Sequence, residues 1–159
     1  MAYESYVPVV GIIQSISDMD GDCCTQKVTL QTNSGIVNFI VSPDTVIVEC
    51  IRLSRGMRVA AFYDSSLPVP LIYPPQYQAQ MMTTLGWNQS IMLNYFDEDL
   101  LATDNSLKIN LGDTTYVTTL NGQPYYCNPG GHALLVYYTN TTRSIPPQTT
   151  PEEIVVLCK

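Results

Sequence analysis

The chain has 159 residues, 13% of them charged, with 14 acidic against 7 basic side chains and a formal net charge of −7. That length buries a core without disulfide staples, and an ordinary apolar share with so little charge excludes a disordered chain. The bases (Lys27, Arg52, Arg55, Arg58, Lys108, Arg143, Lys159) form no stripe beyond "RLSRGMR", which excludes a nucleic-acid backbone as partner, and no run reaches the roughly 18 apolar residues of a membrane helix.

In chain order, "MAYESYVPVV" comes first. It has neither the basic start nor the apolar centre of a secretion signal, and it reads as an N-terminal tail, residues 1–10. Strand patterns then follow closely: "GIIQSIS", "QKVTLQT" after an Asp-Gly turn, "GIVNFIV" after "TNSG", "TVIVECI" after "SPD", and "MRVAAFYD" after "SRG". After a Pro-rich stretch comes "QAQMMTTL". The second half supplies "SIMLNYF", "SLKINL", "TTYVTTL", "ALLVYYT" and "EEIVVLC". These runs are short, rich in Val, Ile, Thr and Tyr, and bounded by Gly, Pro, Asn or Asp. No 3.6-residue apolar period is sustained; "DEDLLATD" predicts one or two helical turns at most.

Two stretches share a phrase. "FYDSSLPVPLIYPPQYQAQMMTTL" and "YYTNTTRSIPPQTTPEEIVVL" both run from an aromatic–Tyr pair through a polar turn and Pro-Pro-Gln to an apolar run. Aligned, Asp44-Thr45 falls on Asp113-Thr114, Gly56 on Gly131 and Phe62-Tyr63 on Tyr137-Tyr138. Pro74-Pro75-Gln76 falls on Pro146-Pro147-Gln148, Met82 on Ile154 and Leu85 on Leu157. Pro-Pro cannot donate to a strand ladder, so each phrase reads as a crossover between strands. The expected fold is all-β: two tandem small modules related by an internal repeat, each an OB-like partly open barrel or a sandwich. The first spans 11–86 and the second 87–159. The earlier halves match poorly, as if the second copy had lost or reshaped a hairpin.

Chemistry is sparse. Five cysteines (Cys23, Cys24, Cys50, Cys127, Cys158) and a lone His132 show no zinc spacing. The plain reading makes them reduced thiols, with Cys50 and Cys158 as small core residues. The sharper one notes the odd number and makes Cys23, Cys24, Cys127 and Cys158 candidates for cross-links between subunits. Asp18, Asp20 and Asp22 imitate the start of a calcium loop, but the Gly comes one place early and Thr29 stands where a bidentate Glu belongs. A solvated acidic turn is the reading preferred. His132, in "NPGGHALL", reads as a surface residue of a Gly turn. Asp97 and Asp99 lack a fixed second carboxylate for glycoside chemistry. No catalytic, cofactor-binding or metal-binding residue is assigned, and no cofactor is expected. Tyr63, Tyr73, Tyr77, Tyr137 and Tyr138 form a candidate ligand platform beside the Pro-Pro crossovers.

"GMRVAAFYDSSLPVPLIYPPQY", "DNSLKINLGDTTYV" and "TTRSIPPQTTPEEIVVLC" resemble small uncharacterised proteins of clostridial Firmicutes that carry a YPPQY phrase. "CC" at 23–24 and the tail resemble, more loosely, bacterial spore-surface and spore-appendage subunits. That second resemblance implies small all-β subunits, made without a signal peptide and cross-linked after assembly. In the appendage family the paired cysteines lie in the tail, whereas here they sit in a turn.

Three functional classes follow. The first is a self-assembling structural subunit of a cell or spore surface, its copies joined by a donated N-terminal strand (Tyr3, Tyr6, Val7, Val9); a phage structural protein shares these features. The second is a carbohydrate- or peptide-binding module without catalysis. The third, an enzyme, has almost nothing in its favour. The first is the expectation, with copies of the chain itself as partner and neither nucleic acid nor a membrane span involved. Its expected place is a cell or spore surface, otherwise the cytoplasm.

Overall fold

The structure, a computed structural model, describes residues 3–158. Residues 1, 2 and 159, at the ends of the expected tail and second module, lie outside the described residues. The fold is all-β, with no α-helix among the described residues, and its sheets are open. The chain divides between Gly86 and Trp87: Ser5–Gly86 form one compact unit, and Trp87 onward, joined by Tyr3 and Glu4, form the other.

The first unit holds β1 (Tyr6–Met19), β2 (Asp22–Thr32), β3 (Gly35–Val41), β4 (Val46–Ile47), β5 (Arg58–Asp64), β6 (Gln76–Gln78) and β7 (Met81–Thr84). They make one sheet in the order β4-β7-β5-β1-β2-β3-β6. The β1–β2 hairpin closes on Asp20 and Gly21, both at positive φ (49° and 80°), the conformation a two-residue type I′ turn requires. Ile13, Val28, Leu30, Phe39, Val59, Ala61 and Met82 form the buried core. At Gly11 the strands approach so closely that a Cβ would lie 2.8 Å from the Gln31 carbonyl oxygen.

The second unit holds β8 (Ser90–Phe96), β9 (Lys108–Ile109), β10 (Tyr116–Thr119), β11 (His132–Tyr138), β12 (Gln148–Thr149) and β13 (Glu153–Leu157). Its sheets run β10-β13-β11-β8 and β12-β9. The pairing scheme parallels that of the first unit. β10 runs parallel to β13 as β4 does to β7. β11 is antiparallel to β13 and β8 as β5 is to β7 and β1. β12 runs parallel to β9 as β6 does to β3. Where the first unit has β2, the described residues of the second have the isolated bridges Phe96↔Ala102 and Leu101↔Lys108. Leu134, Val136, Ile154 and Val156 centre its core, with Phe96, Leu107 and Ile109.

Shared anchors fix this scheme. Thr45 Oγ1 accepts from the Ser42 amide (3.0 Å) and donates to the Ala79 carbonyl (2.8 Å). Thr115 Oγ1 accepts from the Gly112 amide (3.1 Å) and donates to the Pro151 carbonyl (2.8 Å). Thr45 therefore matches Thr115, one residue beyond the Thr114 of the sequence alignment. The Gly56 amide donates to Ile13 O and the Gly131 amide to Phe96 O, and both glycines have positive φ, a backbone region L-residues rarely enter.

Three expectations are corrected. Tyr6–Val10 are not a free tail but the start of β1, with Val7 paired to Tyr63 and Val9 to Ala61. The edge of β5 needs a partner, and the chain's own N-terminal residues supply it without the entropy cost of association. Residues 45–51 form a strand only at Val46–Ile47; a 3-10 turn follows, with Glu49 and Cys50 at positive φ, carrying Val48 into the core. Residues 97–104 form no helical turn. Asp97 Oδ1 instead accepts from the amides of Asp99 (2.9 Å) and Leu101 (3.0 Å), a local bond that competes with helix formation.

Candidate binding site

β5 leaves the first sheet at Tyr63 and Asp64, and the chain returns at β6. Between them lie Pro68, Pro70, Pro74 and Pro75, which have no N–H to give a ladder. Tyr73-Pro74 is a cis peptide, as is Ile145-Pro146 in the second unit. This segment stays outside the sheet with its apolar side chains in solvent: Leu71 is fully exposed, Tyr73 is 87% exposed, and Leu67, Val69 and Ile72 are about half exposed. From Ser65 to Phe96 the sequence carries no charged residue.

Beside the segment lies a cavity of about 290 Å³ lined by Tyr63, Asp64, Leu67–Pro70, Gln76–Gln78 and Gln80. Tyr63 and Tyr77 stack with ring centroids 4.0 Å apart and planes 12° apart, and Tyr77 also meets the buried Phe39 at 5.6 Å. Such pairs contribute about 0.5–1.5 kcal/mol beyond burial, so this wall is set before any ligand arrives. Burial, then the neighbouring Tyr77 charge and hydrogen bond, raise the Tyr63 phenol above the usual tyrosine value. Asp64 Oδ1 accepts from Ser5 Oγ (2.6 Å), Ser66 N (2.9 Å) and Ser66 Oγ (2.6 Å). These bonds hold its carboxyl below the usual aspartate value and clamp the base of the loop. The lining offers apolar and aromatic faces, neutral amides and one carboxylate, Asp64, whose Oδ1 is engaged by Ser5 and Ser66; it suits an uncharged extended chain or a sugar ring.

The structure brings Tyr63 and Tyr77 together and places Tyr73 on the adjoining exposed loop. It does not do the same with Tyr137 and Tyr138. Tyr137 pairs with Glu153 as Phe62 does with Met81, and it is buried; Tyr138 packs on the second core. Thr149 stands opposite Ile109 where Tyr77 stands opposite Phe39, so the second unit has a threonine at the place of the ring that stacks on Tyr63. The second unit's corresponding cavity is polar, lined by Asn110, Thr139–Thr142 and Gln148–Thr150. This contrast was legible in the sequence, where Tyr-Pro-Pro-Gln-Tyr becomes Ile-Pro-Pro-Gln-Thr. The sequence reading missed Leu67, Leu71 and Gln78; the alternation of Pro with large apolar residues in "LPVPLIYPP" was the signal for the two leucines, and Gln78 had none.

The remaining sequence candidates fall elsewhere. Tyr3 meets Tyr95 (centroids 6.3 Å apart) rather than extending from the surface. All five cysteines are free and exposed, including Cys50 and Cys158, which the plain reading had placed in the core. In the β1–β2 ladder, Met19 pairs with Asp22 and Asp18 with Gln26, leaving Cys23 and Cys24 in a bulge. His132 begins β11, edge-on to Tyr125 (6.2 Å). Its Nδ1 lies 3.1 Å from the Gly130 carbonyl oxygen. Among the described residues no group of three or more His, Cys, Asp or Glu side chains converges to hold a metal, and no helix is long and apolar enough to cross a membrane.

No protein-family model matches the chain, and no curated protein matches its sequence. The class defined by fold and site is an all-β chain of two open-sheet units, with an aromatic-walled cavity beside an exposed apolar loop in the first.

Proposed function

We propose that the chain is a non-catalytic, self-associating structural subunit of the kind that builds bacterial surface or spore assemblies. The observation that carries this reading is the uncharged, proline-framed loop Leu67–Tyr73, whose large apolar side chains lie in solvent. Contiguous exposed apolar surface marks interaction sites on soluble proteins. Strand donation by residues 6–9 gives way, as the mode of association, to contact through this loop. Cys23, Cys24, Cys127 and Cys158 are free and exposed, which supports cross-linking of copies once dioxygen, as oxidant, takes up two electrons and two protons per disulfide. Sedimentation velocity over a range of concentrations tests the reading. The intact chain is expected to form larger species under reducing conditions, and a chain that remains monomeric at every concentration rules it out. A non-reducing gel after air oxidation should then show covalent multimers that diminish in Cys23→Ser/Cys24→Ser.

A second reading, a peptide- or carbohydrate-binding module, draws on the stacked Tyr63–Tyr77 wall. It takes first place if the chain stays monomeric.

A further inference from the structure

We propose that the loop of one copy docks into the Tyr63–Tyr77 cavity of a second copy, and reciprocally, making a two-fold dimer through the first unit. This deepens, and rests on, the self-association reading. The cavity and the exposed tip adjoin on one surface of the same unit: Leu67–Pro70 line the cavity, and Leu71, Ile72 and Tyr73 follow directly. A concavity beside a matching protrusion is self-complementary, and a two-fold axis satisfies both contacts at once. The chemistry matches as well. The protrusion is proline-framed and apolar, the kind of segment that aromatic-lined grooves accept, and Gln76, Gln78 and Gln80 offer amides to its carbonyls.

Charge selects the occupant. A nucleic acid would meet no positive charge in the lining and one like charge, Asp64, while a basic peptide would meet only Asp64, whose Oδ1 already accepts three hydrogen bonds from Ser5 and Ser66. Two copies each carrying −7 approach most favourably where neither bears charge, and Ser65–Gly86 is a charge-free stretch within this unit. The second unit, with a polar cavity, has no such pairing of tip and groove.

A charge exchange tests the docking. Leu71 is fully exposed and Gln78 is exposed on the cavity rim, so Leu71→Asp and Gln78→Lys leave the fold intact, as their unchanged circular dichroism and melting will verify. Leu71→Asp removes two docked leucines per dimer and sets its carboxylates near the partner's Asp64. The dissociation constant is expected to rise roughly 100-fold. Gln78→Lys alone is expected to weaken the dimer less. Mixed together, the two variants are expected to form a one-to-one heterodimer, because the aspartate tip meets the lysine rim while the other contact keeps its native residues. A synthetic peptide, SLPVPLIYPP, is expected to compete with dimerisation and to bind the Leu71→Asp chain. A parent that associates while Leu71→Asp associates equally well, or a mixture that yields no heterodimer, overturns this interface and leaves self-association in place. A parent that never associates overturns both, and peptide binding by that monomer would assign the cavity to a foreign proline-rich segment.

Discussion

Thr118 occupies the slot in the second unit that Val48 occupies in the first. Two residues earlier in each, the amides of Tyr116 and Val46 donate to the carbonyls of Glu152 and Gln80. Both Thr118 and Val48 are buried. The Thr118 hydroxyl has no hydrogen-bond partner, and an unmet buried hydroxyl costs about 1–3 kcal/mol. Thr118→Val keeps the shape and removes the unmet group, so urea denaturation should show stabilisation of that order. Val48→Thr should lose a similar amount. A Thr118→Val variant less stable than its parent would show that the hydroxyl does find a partner. The sequence already contained this oddity, since "TTYVTTL" places a threonine on the strand face that turns inward. Only the pairing with β13 reveals which of its threonines that is.

At the scale of elements, Thr45 and Thr115 tie the loops before β4 and β10 to the chain entering β7 and β13. Each hydroxyl accepts one bond and donates another. Thr45→Val or Thr115→Val should each cost about 1–3 kcal/mol in calorimetric unfolding, while serine at either position should recover much of the loss. If valine matches the parent at both positions, these anchors carry no stability. The same elements show what could be read beforehand. "GIVNFIV" and "SIMLNYF" became β3 and β8 with unchanged bounds, because alternation and flanking turn residues agree there. The Pro-Pro-Gln phrase could be placed because proline has one structural meaning next to a sheet. The start of β1 was hidden because Ser5 and Pro8 break the apolar pattern, and only the open edge of β5 explains its pairing. The short turn that replaces a hairpin after β8 was half visible, as a failed alignment. Its form depends on Asp97 capping, a bond that other Asp-rich turns in the chain could equally have offered.

For the whole molecule, long-range charge opposes the association that the apolar loop favours. Seven excess negative charges at neutral pH repel a second copy at any orientation, and the repulsion falls off over about 8–10 Å at physiological salt. Repulsion weakens as carboxylates take up protons toward the isoelectric point near 4.3. The loop base survives that descent. Asp64 titrates below the usual aspartate range because Ser5 and Ser66 hydrogen-bond its charged form, so the clamp holds until the pH drops through that lowered value. Self-association should therefore strengthen from pH 7.5 to pH 5 and on raising salt from low to physiological, reversibly in both cases. Leu71→Ser separates this from ordinary isoelectric precipitation. It leaves the net charge unchanged, so precipitation near pH 4.3 should persist in the variant while soluble dimer at pH 5 is lost. Light scattering across the pH series measures both. Equal dimer in parent and variant would put the contact away from this loop, and association that weakens as salt is added would make that contact electrostatic.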